Sequence, residues 1–163
     1  MVRRLSITCV FGLLLFAGVA GARTHGTHAP GDGSLAVHNA AAVISISARG
    51  GVIGHFTEGV LTVRDFNPDD NISEVVTGAE KTRVVNEFVT KYWGHDVRFR
   101  YIGGRFAITV NSYNINLSAI GKGNVTFTGK GTADDGSFSL NGAAYQPISN
   151  TPQTFPLGST ATP

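Results

Sequence analysis

The sequence predicts an all-β domain, a single antiparallel β-sandwich or barrel of about eight to ten short strands, preceded by a cleaved signal peptide. Three observations lead there. Apolar residues recur at every second position in run after run, the 21 glycines punctuate those runs, and charged residues make up only 15% of the 163, too few for a disordered or coiled-coil chain. A mean hydropathy of +0.07 is too low for several membrane spans. No apolar stretch beyond the first two dozen residues approaches the length that crosses a bilayer.

Residues 1–22 have the three-part form of a secretory signal. Arg3 and Arg4 make a positive start, Leu5 to Val19 an uncharged apolar run, and Ala20-Gly21-Ala22 a small-residue cleavage site. Leu5-Ser6-Ile7 lacks the pattern that a twin-arginine route prefers after its arginines, so general secretion is expected. Cleavage after Ala22 removes Cys9, the only cysteine, and leaves neither a disulfide framework nor a thiol nucleophile. It also lowers the 13 basic residues to 11, which equals the 11 acidic ones, all of them downstream. A neutral mature chain has no electrostatic funnel for nucleic acid, and its weak long-range repulsion leaves self-association open.

Residues 23–34, small, polar and bearing Gly and Pro, read as a flexible arm; residues 35–146 read as the β domain. Ala42 to Ser47 is a strand ended by Gly50-Gly51, and Val60 to Arg64 is another, entered through Gly59. Val97, Phe99 and Tyr101 alternate with Arg98 and Arg100; Phe106, Ile108 and Val110 follow Gly103-Gly104, so a hairpin with one apolar face is expected. Ile115 with Leu117, Val125 with Phe127, and Phe138 with Leu140 continue the series. In Lys81 to Trp93 the apolar residues fall at helical spacing, but Val, Phe and Tyr favour strands and Asn86-Glu87 suits a turn between two of them. Strands are therefore expected there. The tail, residues 147–163, is rich in Pro, Ser and Thr, with Phe155-Pro156-Leu157 a candidate docked edge segment.

Residues 77–142 carry Phe99-Arg100-Tyr101-Ile102-Gly103-Gly104-Arg105-Phe106, then Ile115-Asn116-Leu117-Ser118-Ala119-Ile120-Gly121-Lys122-Gly123, then Asp135-Gly136-Ser137-Phe138-Ser139-Leu140. In these segments the chain resembles a group of small secreted β-rich proteins of unknown function found in actinobacteria. The resemblance implies export and a β-rich domain and transfers no catalytic residues. Asn111-Ser112-Tyr113 departs from the pattern, which tends to place glycines there.

Several groups of residues are candidate sites. Cleavage after Ala22 would leave Arg23-Thr24-His25 as the new terminus, whose amine, amides and imidazole can close a square-planar Cu(II) or Ni(II) site, with His28 as an axial contact. Asp65, Asn67, Asp69 and Asp70 space oxygens like the start of a Ca(II) loop, but Asp70 replaces the required glycine and Val76 the bidentate glutamate. A looser calcium loop, or an Asx turn, remains. Otherwise no cofactor is expected. His55 with Glu58 and His95 with Asp96 are nearby acid/base types, but neither pairing is diagnostic, and neighbours in a strand face opposite ways, so Asp96 need not face His95.

Trp93, Arg98, Arg100 and Arg105, with Tyr92, Tyr101 and Tyr113 nearby, compose a candidate cationic and aromatic ligand surface. There is no G-x-S-x-G, no H-E-x-x-H, no phosphate loop and no dinucleotide fingerprint. The leading expectation is a secreted or cell-envelope, non-enzymatic interaction or structural module with an extracellular or cell-wall partner and no membrane span after processing. One alternative is a hydrolase of an envelope glycan drawing its acid and base from Glu58, Asp65, Asp69, Asp70 and Glu80. The other is a metal-handling protein using the histidine-bearing arm.

Overall fold

The computed structural model describes residues 31–67 and 73–158. The protein is all-β there, with one antiparallel sheet of seven strands: β1 (Gly33–Asp65), β2 (Ser73–Thr77), β3 (Lys81–Asn86), β4 (Val89–Gly129), β5 (Ser137–Leu140), β6 (Gln146–Pro147) and β7 (Gln153–Leu157). The path runs β2-β4-β1-β5-β6, with β3 and β7 also on β4, and it does not close. The expected signal peptide falls outside the described residues, and β1 begins at Gly33, inside the expected arm.

Where many short strands were expected, two very long ones dominate, because the glycines bend the chain without ending its pairing. β1 pairs with β4 along both of its edges. On one edge Ala42 faces Ser112, Arg49 faces Arg105, Phe56 faces Val97 and Arg64 faces Val89. On the other Ala42 faces Gly129, Arg49 faces Lys122, His55 faces Asn116 and Asp65 faces Phe106. β2 and β3 then cover the remaining edge of the first part of β4, Val75 opposite Arg100 and Thr82 opposite Tyr92.

This pairing corrects the expected hairpin at Gly103-Gly104. Residues on both sides of that pair belong to one ladder with β1: Arg105 faces Arg49 and Ile102 faces Gly51, so Gly103 and Gly104 together oppose Gly50. They form a β-bulge, and both take positive φ (96° and 61°), which glycine adopts without steric cost. A second bend brings the β1 and β4 corners together at Asn39 and Asn114, both at positive φ, the conformation that Asn tolerates best after Gly. The Asn116 side chain joins them, its Oδ1 accepting from the Asn39 N–H at 3.1 Å and its Nδ2 donating to the Asn114 carbonyl at 3.1 Å.

Period-two alternation puts one face of every long strand into a single core. Ile44, Ile46, Ile108, Val110, Val125 and Phe127 are buried, while Ser45 and Thr109 pair hydroxyls on the opposite face at 3.1 Å. Lys81 to Trp93 forms a hairpin of strands, as expected, and the Asn86 side chain accepts from the Phe88 N–H at 3.0 Å across the turn. β7 lies on β4 as an edge strand, which is where Pro156 can be accommodated.

The loop from Lys130 to Gly136 is organised by Asp135. Its carboxylate accepts from the Gly131 N–H (2.8 Å), the Thr132 N–H (2.9 Å) and the Thr132 hydroxyl (2.6 Å). These bonds, the hydroxyl foremost, hold the carboxyl below its ordinary value. A depressed folded pKa means that the contribution is present above the unfolded carboxylate value and is lost as pH falls through the folded one. Asp135→Asn is therefore expected to lower the melting temperature by several degrees at neutral pH and to flatten its fall in acid. Melting curves from neutral pH down to about pH 2 check this, and identical acid profiles for both proteins would contradict it.

Candidate functional site

The outer face of the sheet around Gly54 carries an open trough of about 670 Å³, within the size range of small-molecule sites. Its floor is the transverse row Val37, Leu117, Gly54 and Phe99, which are register partners. Val37, Leu117 and Phe99 are buried, so their side chains point to the core and the floor they offer is backbone. Gly54 is required here: a Cβ would lie 2.7 Å from the Phe99 ring and 2.7 Å from the Leu117 Cβ.

The flanking rows make the walls. One wall is Thr77, Arg98, His55 and Asn116, with His38 at its end; the other is Val75, Arg100, Ile53 and Ser118. Arg98 and Arg100 stand on opposite walls of the same strand, about 7 Å apart along it. Ile53 (57% exposed) and Val75 (41%) flank Arg100 and leave aliphatic surface open to solvent. Among the described residues, every ionisable side chain on the trough is an arginine or a histidine, and none is a carboxylate. Among the described residues neither arginine has a carboxylate at ion-pair distance.

The expected surface of Trp93, Arg98, Arg100 and Arg105 is not one surface. Arg98 and Arg100 line the trough, but the Arg105 guanidinium lies 4.9 Å from the Phe66 ring centroid, with Arg64 at 5.0 Å from the same ring. Trp93 is half-buried with Lys81 over it, at 5.6 Å. Tyr101 is in the core against Phe106, Tyr92 donates to Glu74 at 2.8 Å, and Tyr113 lies 3.7 Å from the Lys130 ammonium. Alternation makes Tyr101 inward by the same rule that makes Arg98 and Arg100 outward.

Acid and base groups meet at a second place. His95 Nδ1 is 2.8 Å from Glu80 Oε1, and Nε2 is 3.9 Å from Glu58 Oε1. Both adjacencies read from the sequence are thereby replaced: Glu58 faces His95 across the ladder, and His55 faces Arg98 instead. Glu80 arrives because Gly78 and Gly94 approach closely; a Cβ on Gly94 would lie 2.6 Å from the Gly78 carbonyl. The hydrogen bond to Glu80 and then its charge raise the His95 pKa. The cluster is on the exposed surface, with 62% of the His95 side chain accessible.

A raised folded pKa means that this contribution is present below the unfolded histidine value and disappears as pH rises through the folded one. Glu80→Gln is expected to move the His95 titration to lower pH, read by the imidazole proton shifts. An unchanged midpoint would show that Glu80 is not its partner.

The proposed Cu(II) residues Arg23, His25 and His28 lie outside the described residues, as do Asp69 and Asp70 of the calcium loop. Asp65 and Asn67 are described, and there the Asp65 carboxylate accepts from the Asn67 N–H at 2.9 Å, which is an Asx turn. Among the described residues no three His, Cys, Asp or Glu side chains gather in a way that could hold a metal ion. No helix among them is long and apolar enough to cross a membrane.

No family model, curated protein or solved structure matches the chain. The site is therefore read from its own chemistry. A guanidinium on each wall, Arg98 beside His55 and Arg100 between aliphatic Ile53 and Val75, can bind an anion and shelter an apolar group beside it.

Proposed function

We propose that this chain is an exported, non-enzymatic β-domain that acts outside the cytoplasm by binding, with the trough over Gly54 as its contact surface. The observation that supports this most is the collection of Arg98, Arg100 and His55 beside exposed Ile53 and Val75, with no carboxylate on the trough among the described residues. Guanidiniums without an ion-pair partner among those residues are available to a partner molecule. The leader-like residues 1–22 support export to a secreted or envelope location, and the resemblance to small secreted proteins agrees with it.

Sedimentation of the purified mature chain with envelopes of the producing cells tests the reading. Retention that falls with added salt and is lost in Arg98→Gln/Arg100→Gln is expected. No retention, or equal retention of both proteins, would overturn it.

One observation favours the hydrolase reading instead. Glu58 and Glu80, two of its candidate carboxylates, flank His95, although Asp65 is committed to its own turn. Release of soluble sugar from envelope glycan by the wild type but not by Glu58→Gln would favour that reading over binding alone.

A further inference from the structure

We propose that the trough takes a small amphiphilic carboxylate, a molecule with one acidic head and a single acyl tail; this rests on the binding reading above and names its ligand. The two walls differ in kind. Arg98 and Arg100 project from the same face of the sheet, two positions apart on β4, a spacing at which two guanidiniums can share one carboxylate. His55 stands beside Arg98 in the ladder, so that wall offers a further polar group to an acidic head, while the Asn116 amide is committed to the Asn39 and Asn114 corner.

Ile53 and Val75 lie on either side of Arg100, so a tail leaving the head along that wall meets branched aliphatic side chains. Covering them removes apolar surface from water, which no purely ionic ligand would do.

The floor argues against a sugar. Phe99 sits beneath the trough with its ring turned into the core, where it is 4% exposed, and among the described residues neither wall carries a Phe, Tyr or Trp on which a sugar ring could stack. A nucleic acid is no better matched, since a single pair of arginines cannot track a phosphate backbone. The volume of about 670 Å³ fits one small molecule rather than a folded partner.

Titration calorimetry of the mature chain tests this with decanoate, acetate and decyltrimethylammonium, the two amphiphiles below their micelle-forming concentrations. Decanoate is expected to bind at least about tenfold more tightly than acetate or decyltrimethylammonium. Arg98→Gln/Arg100→Gln and Ile53→Ser are each expected to weaken decanoate by about tenfold or more, at unchanged melting temperature. All these positions are exposed, so the variants should fold.

Equal binding of the decyl cation would show apolar adsorption alone, equal binding of acetate would show a simple anion site, and either overturns the proposal. So does decanoate binding that both variants leave intact. If decanoate fails to bind while envelope retention stays arginine-dependent, the ligand class is wrong and the binding reading survives. If retention fails as well, both fall.

Discussion

Phe127→Ala is expected to cost about 3–5 kcal/mol of folding stability, the range for truncating a fully buried aromatic residue. Phe127 is 1% exposed and stacks on Phe138, with centroids 4.3 Å apart and planes 22° apart. Phe155 closes the trio at 6.1 Å from Phe127 and 5.1 Å from Phe138. The three rings come from β4, β5 and β7, which are not all neighbours in the sheet: β5 pairs with β1, and β7 with β4. The trio thus joins parts of the sheet that hydrogen bonds do not connect directly.

Removing the Phe127 ring leaves a cavity against both of the short strands. Urea unfolding should show the loss, and amide exchange at Gln153–Leu157 should rise more than at Ile44 or Ile108 in the middle of the long ladders. A cost below about 1 kcal/mol would mean that the site collapses around the gap and that the trio is not the bridge.

Alternation made the inward and outward faces legible from residues alone. Val97, Phe99 and Tyr101 were inward and Arg98 and Arg100 outward on period two, and the structure places them so. The Asn86-Glu87 turn was legible too, since Asn supplies its own hydrogen bond to the backbone that follows. Gly103-Gly104 was not. A glycine pair serves a tight hairpin or a bulge equally well, and what selects the bulge is a β1 long enough to pair with β4 on both sides of it.

The sites show the same division. Adjacent residues in a strand face apart, so His95-Asp96 carried little information, and His55 and Glu58, three residues apart, face Arg98 and His95 respectively across the ladder. The relation that exists, Glu58 with His95 and Glu80, is a matter of cross-strand register and one glycine contact, neither of which has a local signature. Half of the trough was visible as two outward arginines. Its aliphatic wall came from Ile53 and Val75, on strands whose neighbours only the fold decides.

Gly121→Ala is expected to cost about 3 kcal/mol or more, a larger effect than its single added methyl suggests. Gly121 faces Gly50 in the ladder where β1 and β4 bend together, at φ 150° and 147° respectively, a conformation that residues with a Cβ rarely adopt. A Cβ on Gly121 would lie 2.1 Å from the Arg49 carbonyl oxygen, and one on Gly50 would lie 2.1 Å from the Ile120 carbonyl oxygen. Both clashes are with backbone, which cannot swing aside without breaking the ladder it belongs to. Strain and overpacking therefore act together, each worth about 1–3 kcal/mol.

Gly51 is the control. It follows Gly50 in the chain, has no positive φ, and a Cβ there would find its nearest neighbour at 3.5 Å, an ordinary contact. Gly51→Ala should be neutral or should stabilise by about 0.4–1 kcal/mol through the lower entropy of the unfolded chain. Urea unfolding of the two variants side by side separates the explanations. Equal losses would mean that this segment rejects any side chain, whereas loss at Gly121 alone assigns the cost to the bend where the two long strands turn together.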